Sequence, residues 1–152
     1  MTRRRTPKGV KYYMSVKKIV CGVDFSDHSV RVFRAAADLA RFYNADLRVI
    51  HAIEANLVPS QLTRAQTLDE KAILALELLI EQWGGGLNEG QVKAEVMTGN
   101  ASAEIIDYAR NFGADLIVIG AKGLKLLEES VIGGTAQRVV KDAPCSILVV
   151  RK

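Results

Sequence analysis

The sequence contains no apolar run that approaches the roughly 18–20 residues needed to cross a lipid bilayer. Arginines occupy positions 3–5, but no apolar stretch follows them as it would in a secretory signal. The 152 residues, 49% hydrophobic and 25% charged, have the composition of one ordinary globular domain with a core. We therefore expect a cytoplasmic protein with no membrane partner.

Cysteine and histidine are scarce, which argues against a disulfide framework or a metal centre. Cys21 and Cys145 each lie in or beside a predicted buried strand, so both are interpreted as small core residues. His28 and His51 have no cysteine or carboxylate at metal-ligand spacing, which favours core or surface roles. Ser26 has no base partner and is interpreted as a helix cap. No metal site and no catalytic residue is predicted.

Two common phosphate-binding motifs are missing after the first predicted strand. A P-loop requires GxxxxGK followed by Ser or Thr, and a dinucleotide fingerprint requires GxGxxG. The sequence VDFSDHS at this position matches neither. Both classes of nucleotide-binding protein are therefore poor candidates.

Acidic residues are absent from residues 1–13, which carry five of the positive charges. The whole chain has a net charge of +4, so the remainder stands at 4 − 5 = −1. We assign residues 1–15 to a basic N-terminal extension and residues 16–152 to one domain. Because the domain itself is nearly neutral, nucleic acid is not an expected partner. Contact of the extension with RNA, DNA or acidic lipid stays open, as does an upstream start before Met14.

Hydrophobic periodicity predicts five strands alternating with four helices. The strands are residues 16–23, 47–53, 92–96, 116–119 and 146–150. Ser26 or Asp27 is expected to cap the first helix and Ser102 the third, while residues 54–67 are expected to form a loop with local structure. The second helix should bury one face, made of Leu68, Ala72, Leu76, Leu79 and Trp83. This alternation predicts an α/β fold: a Rossmann-like, doubly wound, five-stranded parallel sheet with helices on both faces.

Glycines bracket the segment after the fourth strand in the pattern Gly120-x2-Gly123-x9-Gly133. Glycine lets a backbone approach a ligand, and the N–H groups that open a helix attract anions. In the strand order 3-2-1-4-5, the first and fourth strands are neighbours, so Asp24 and the glycine loop would meet at one crevice. The acid would accept from a ribose hydroxyl while the loop binds phosphate. Simple turns, and a helix cap at Asp24, are the alternative interpretations.

Four blocks of the chain resemble the universal stress protein family over nearly all of residues 16–152. They are KKIVCGVDFSDHS, RVIHAIE, GADLIVIGAKG and APCSILVV, and the glycine pattern accompanies them. The resemblance implies an adenine-nucleotide-binding fold with strand order 3-2-1-4-5, commonly homodimeric, with ATP as ligand, with or without Mg²⁺. By this similarity, the nucleotide would contact Gly22, Val23, Asp24, Ala52, Ile119, Gly120, Lys122, Gly123, Gly133, Gly134 and Thr135.

The chain departs from the family pattern at position 134, where ATP-binding members carry Ser or Thr and this chain has Gly134. Loss of one hydroxyl group that donates a hydrogen bond to phosphate weakens the free energy of ATP binding by about 1 kcal/mol. The hydroxyl of Thr135 and the backbone N–H groups remain. The first hypothesis is an ATP-binding stress-response regulator that acts on an unknown protein partner and is at most a slow ATPase. The alternative, favoured by Gly134 and the apolar last strand, is a dimeric interaction module that works without nucleotide.

Overall fold

The computed structural model describes residues 14–54, 62–122 and 132–151; within residues 62–67 it describes the backbone alone. The elements, in chain order, are β1 (Lys18–Gly22), α1 (Ser29–Tyr43), β2 (Asp46–Ile53), α2 (Leu62–Trp83), β3 (Val92–Thr98), α3 (Ala101–Phe112), β4 (Leu116–Gly120), α4 (Gly134–Asp142) and β5 (Ser146–Val150). None of these helices is both long and apolar enough to cross a membrane.

The five strands form one parallel sheet in the order β3-β2-β1-β4-β5. One core lies between the sheet and helices α1 and α2, and it includes Phe33 and Leu76. A second core lies under α3 and α4 and includes Ile106 and Val139. Helices therefore cover both faces, and the predicted fold class and strand order are confirmed. Strand β3 is at one edge, as its alternating sequence predicted.

The central strand β1 is apolar on both faces because it separates the two cores. Ile19, Val20 and Cys21 have no exposed surface. Burial raises the pKa of the Cys21 thiol far above its usual value, which confirms its core role. Cys145 is half-buried, and burial together with the nearby charge of Asp115 raises the pKa of its thiol.

The starts of two helices differ from the sequence prediction. Helix α1 begins at Ser29 behind His28, not behind Ser26 or Asp27, and no side chain caps it. The reason is that Asp24 has already closed the preceding turn by accepting the backbone N–H of Ser26. Helix α3 is capped by Asn100, whose side chain accepts from the N–H of Ala103 and the hydroxyl of Ser102. Ser102 is thus a buried residue inside the helix and not its cap.

Helix α2 differs from prediction at both ends. It begins at Leu62, inside the segment predicted as a loop. Residues 62–67 (LTRAQT) lack an apolar period but contain good helix formers, so backbone propensity decides here. Ala72, Leu76 and Leu79 are buried as predicted, whereas Trp83 is exposed. The Arg34 guanidinium lies over the Trp83 ring at 5.1 Å from its centroid, which explains how the ring is held at the surface.

Gln91 is a buried polar side chain that fixes the start of β3 against the α1–β2 junction. Its Nε2 donates to the carbonyls of Ala40 and Ala45 at 3.2 and 2.9 Å. Its Oε1 accepts from the N–H of Asn88 at 2.9 Å. These hydrogen bonds replace the bonds to water that the amide group loses on burial. An apolar side chain at this position would leave backbone groups without their partner.

We predict that Gln91→Leu lowers the free energy of unfolding by about 1–3 kcal/mol, because the buried carbonyl of Ala45 loses its donor. Urea denaturation followed by circular dichroism measures the change. The matched control is Gln82→Leu on the exposed side of α2, which should alter stability by less than about 0.5 kcal/mol. Equal urea midpoints for the two variants would contradict this account of Gln91.

Candidate functional site

A crevice of about 680 Å³ opens at the carboxyl edge of the sheet, where β1 and β4 are neighbours. Helix α1 leaves this point toward one face of the sheet, and α4 covers the other face. A space of this volume fits a ligand of mononucleotide size, and this position is where open α/β sheets bind ligands.

Ten of the eleven residues that the sequence proposes for the site line this crevice. They are Gly22, Val23, Asp24, Ala52, Ile119, Gly120, Lys122, Gly133, Gly134 and Thr135. Gly123 lies outside the described residues. The topology thus brings together the end of β1, the end of β2 and both sides of the β4–α4 connection. The structure shows that these residues line the crevice, and the role of each residue in binding stays a prediction.

Asp24 shapes the turn that leaves β1. Its Oδ1 accepts from the Ser26 N–H at 3.0 Å and the Ser29 hydroxyl at 3.3 Å. Phe25, between Asp24 and Ser26, has a positive φ of 59°. A non-glycine residue adopts this backbone conformation only when its surroundings hold it. The carboxylate therefore fixes the turn as well as lining the crevice. It does not cap α1, so the helix-cap interpretation is not the one observed, and its contact with a ribose stays a prediction.

The first turn of α4 presents backbone N–H groups at the crevice. Gly133 donates its N–H to the Ala121 carbonyl, and its own carbonyl accepts from Gln137. The N–H groups of Gly134, Thr135 and Ala136 have no hydrogen-bond partner in the described part of the chain. No side chain caps this helix, in contrast to α3, where Asn100 occupies the equivalent place. Three convergent donors at a helix N-terminus favour an anion.

Ala52 offers the crevice a backbone donor and a backbone acceptor. Along β2, odd-numbered residues bond to β3: Leu47 donates to Gln91, and Ile53 accepts from Gly99. Even-numbered residues bond toward β1, as when Ile50 accepts from Val23. The β1–β2 register ends at Gly22 and Ile50. The N–H and C=O of Ala52 therefore face beyond the end of β1, and neither bonds to the described residues.

Glycine at position 22 has a packing reason of its own. A Cβ there would lie 2.9 Å from Ile105 Cδ1 and 3.2 Å from Ile119 Cγ2, so α3 sits close against the end of β1. At Gly120, a Cβ would meet the Lys122 carbonyl and Val32 Cγ2, each at 3.3 Å. At Gly134 nothing lies within 4 Å of that position. Close packing therefore accounts for the first two glycines but not for the third.

Sequence reasoning missed several residues that line the crevice. His51, interpreted as a core or surface residue, is half-buried and lines it, as do His28 and Phe25. Ala101 and Ile105 add the N-terminal end of α3. The one available signal for His51 was its position beside Ala52 at the end of a predicted strand. The described residues contain no cluster of three or more His, Cys, Asp or Glu that could hold a metal ion.

Comparison with known proteins agrees with this fold. The model of the universal stress protein family matches residues 15–151. The chain belongs to the universal stress protein family. A universal stress protein of Methanocaldococcus jannaschii is 29% identical over 147 residues, which cover 90% of this chain and 82% of the relative. A putative universal stress protein of Staphylococcus epidermidis is 30% identical over 142 residues, covering 91% and 86%.

Solved structures of universal stress proteins share the fold. UspA from Lactobacillus plantarum superimposes with a TM-score of 0.76 at 27% identity, over 90% of this chain and 98% of that one. A universal stress protein in complex with cAMP gives 0.68 at 20% identity, covering 90% and 98%. One from Archaeoglobus fulgidus in complex with dAMP gives 0.61 at 21%, covering 91% and 100%.

Substitutions at two glycines of the crevice should differ in their effect on stability. Gly22→Ala should lower the free energy of unfolding by about 1–2 kcal/mol, because the new methyl group forces Ile105 and Ile119 to shift. Gly134→Ser should leave stability within about 0.5 kcal/mol of the wild type, because its side chain enters open space. Thermal unfolding of the three proteins measures both effects, and a larger loss for Gly134→Ser than for Gly22→Ala would refute the packing argument.

Proposed function

We propose that this universal stress protein binds an adenine nucleotide, with ATP as the ligand, and acts as a stress-response regulator. One observation carries the proposal: the uncapped first turn of α4 presents three N–H donors to the crevice that also contains Asp24. Donors of this kind bind phosphate, and a carboxylate across the same space accepts from a ribose hydroxyl. The complexes of related proteins with cAMP and dAMP support the adenine nucleotide class.

In this proposal the base lies against the ends of β1 and β2. The N–H of Ala52 donates to a ring nitrogen of adenine, and its C=O accepts from the exocyclic amine. Gly22, Val23 and Ile119 line the same end of the crevice. At the other end, Gly120, Gly133, Gly134 and Thr135 surround the phosphates, and Lys122 supplies positive charge. Gly123 belongs to this set by family resemblance.

Mg²⁺ would bind in this crevice only together with the phosphate groups of the nucleotide. Because no cluster of metal ligands occurs among the described residues, phosphate oxygens and water would supply most of its coordination. No residue of the sequence is predicted to act as the base that activates water. We therefore infer at most slow hydrolysis. Regulation would come from ordering of residues 121–133 by bound nucleotide, which alters the surface offered to a protein partner in the cytoplasm.

Nucleotide content tests the proposal directly. Purified protein should release adenine nucleotide on denaturation, detected by mass spectrometry, and nucleotide-stripped protein should bind ATP in calorimetric titration. Gly120→Val should weaken ATP binding at least about tenfold, because the new side chain displaces Val32 and the Lys122 carbonyl. Absence of copurified nucleotide together with no binding at millimolar ATP would refute the proposal. Unchanged affinity in a folded Gly120→Val protein would refute the placement of the site.

Gly134→Ser should bind ATP more tightly than the wild type in the same titration. The serine hydroxyl adds one donor beside the free amides of α4, which corresponds to about 1 kcal/mol, or roughly fivefold tighter ATP binding. Gly134→Ala is the matched control, since it adds the Cβ without the hydroxyl. If both variants changed affinity equally, the hydroxyl would have no part in phosphate binding.

We also propose that the protein is a homodimer that uses the β5 edge. Strand β5 ends the sheet, pairs with β4 alone among the described strands, and exposes Leu148. An unpaired apolar edge is a ready surface for a second copy. Sedimentation velocity should give a dimer for the wild type and a monomer for Leu148→Lys. The control Leu74→Lys, on exposed α2, should stay dimeric. A monomeric wild type would refute this proposal, and a nucleotide-free dimer that never binds ATP would favour the nucleotide-independent interaction module.

A further inference from the structure

The feature to explain is why the β1–β2 ladder stops one pair short at the crevice. In a parallel ladder, the Val23 N–H donating to Ile50 would be followed by the Ala52 N–H donating to Val23. The first of these bonds is present at 3.0 Å, but the second is absent. Ala52 therefore has no backbone partner among the described residues, although the carbonyl that would pair with it, that of Val23, lies in the turn that follows β1.

The Val23 carbonyl is instead bound by a side chain. His51 Nδ1 lies 2.9 Å from the Val23 oxygen. A carbonyl oxygen is only an acceptor, so Nδ1 of the imidazole must carry the proton and donate it. This hydrogen bond takes the place of the missing ladder bond from Ala52. The Val23 carbonyl is thus directed at the imidazole of His51 and not at the N–H of the next β2 residue, Ala52.

The imidazole is held in this position from its other side. The Phe25 ring lies against it, with ring centroids 4.3 Å apart and an interplanar angle of 41°. Phe25 is itself fixed in the left-handed region by the turn that Asp24 closes. Both rings line the crevice. Two contacts on one imidazole, a hydrogen bond and a ring contact, fix both its position and its tautomer.

We propose that His51 is a positioning residue for base recognition: by binding the Val23 carbonyl, it keeps the N–H and C=O of Ala52 open for adenine. The inference rests on the proposed nucleotide site but concerns selectivity within it. An adjacent donor and acceptor match the ring nitrogen and amine of adenine. They are mismatched to guanine, which presents a carbonyl and a ring N–H at the same edge. A site with fixed polar groups rejects the mismatched base because those groups would stay unpaired.

Two variants of His51 separate the hydrogen bond from the ring contact. His51→Phe keeps an aromatic ring against Phe25 but has no donor for Val23. His51→Asn keeps an N–H donor near the Nδ1 position but has no ring. Calorimetric titration with ATP and GTP should give a wild-type preference for ATP of about tenfold or more. His51→Phe should lose about tenfold in ATP affinity and most of that preference, and His51→Asn should retain both within about threefold.

Amide hydrogen exchange without nucleotide provides a readout that is independent of ligand binding. The Ala52 N–H should exchange rapidly in the wild type and in His51→Asn. It should become protected in His51→Phe, where Val23 is released and the ladder closes. Protection of the Ala52 N–H in the wild type would overturn the inference, even if the protein binds no nucleotide at all. An unchanged ATP:GTP ratio in folded His51→Phe would overturn it while leaving the proposed ATP site standing.

Discussion

The pairing of β1 with β4 is the constraint on which the rest of the structure depends. These two strands lie side by side although five elements separate them along the chain, and their side chains divide the molecule into two cores. Full burial of a residue such as Val20 or Ile117 stabilises the fold by about 1.5–3 kcal/mol. Because α1 and α4 pack on opposite faces of the sheet, a crevice is left between them at the carboxyl ends of β1 and β4. The crevice is thus a consequence of topology before any side chain contributes chemistry.

The two walls of this crevice are built differently. On the β1–β2 side, hydrogen bonds within the protein hold the side chains of Asp24 and His51 in place. On the α4 side, the helix begins with two glycines and leaves its first amides without partners in the described chain. A pre-organised wall suits recognition of a rigid base, and an uncapped helix suits an anion. This division supports a nucleotide more than an apolar ligand.

The fold could be predicted from sequence because strand and helix periods alternate clearly and the glycines lie between them. The continuous apolar runs at Val20 and Ile117 indicated strands covered on both faces, and the structure has them so. Helix starts were harder, since several capping residues stand close together in SDHS and NASA. Selection among them depends on side-chain bonds, such as Asp24 to Ser26, that no local pattern reveals.

The candidate site was predicted where backbone or charge defines the position, as at Gly133 and Asp24. It was missed where a side chain acts through tertiary contact. The role of His51 depends on the Val23 carbonyl, 28 positions away along the chain, and on the unusual backbone of Phe25. Neither is visible as a spacing. Family resemblance predicted Ala52 as a contact. The alternation of hydrogen bonds along β2 shows in which direction its backbone groups face.

Mapping the bound nucleotide onto backbone amides tests the central claim most directly. In a titration of isotopically labelled protein with ATP, two-dimensional amide spectra should show the largest shifts at two places. One is the first turn of α4, at Gly134, Thr135 and Ala136, and the other is Ala52 at the end of β2. Both sets should move together with one dissociation constant, because one molecule spans the crevice. Shifts confined to another surface, or none at millimolar ATP, would contradict the account.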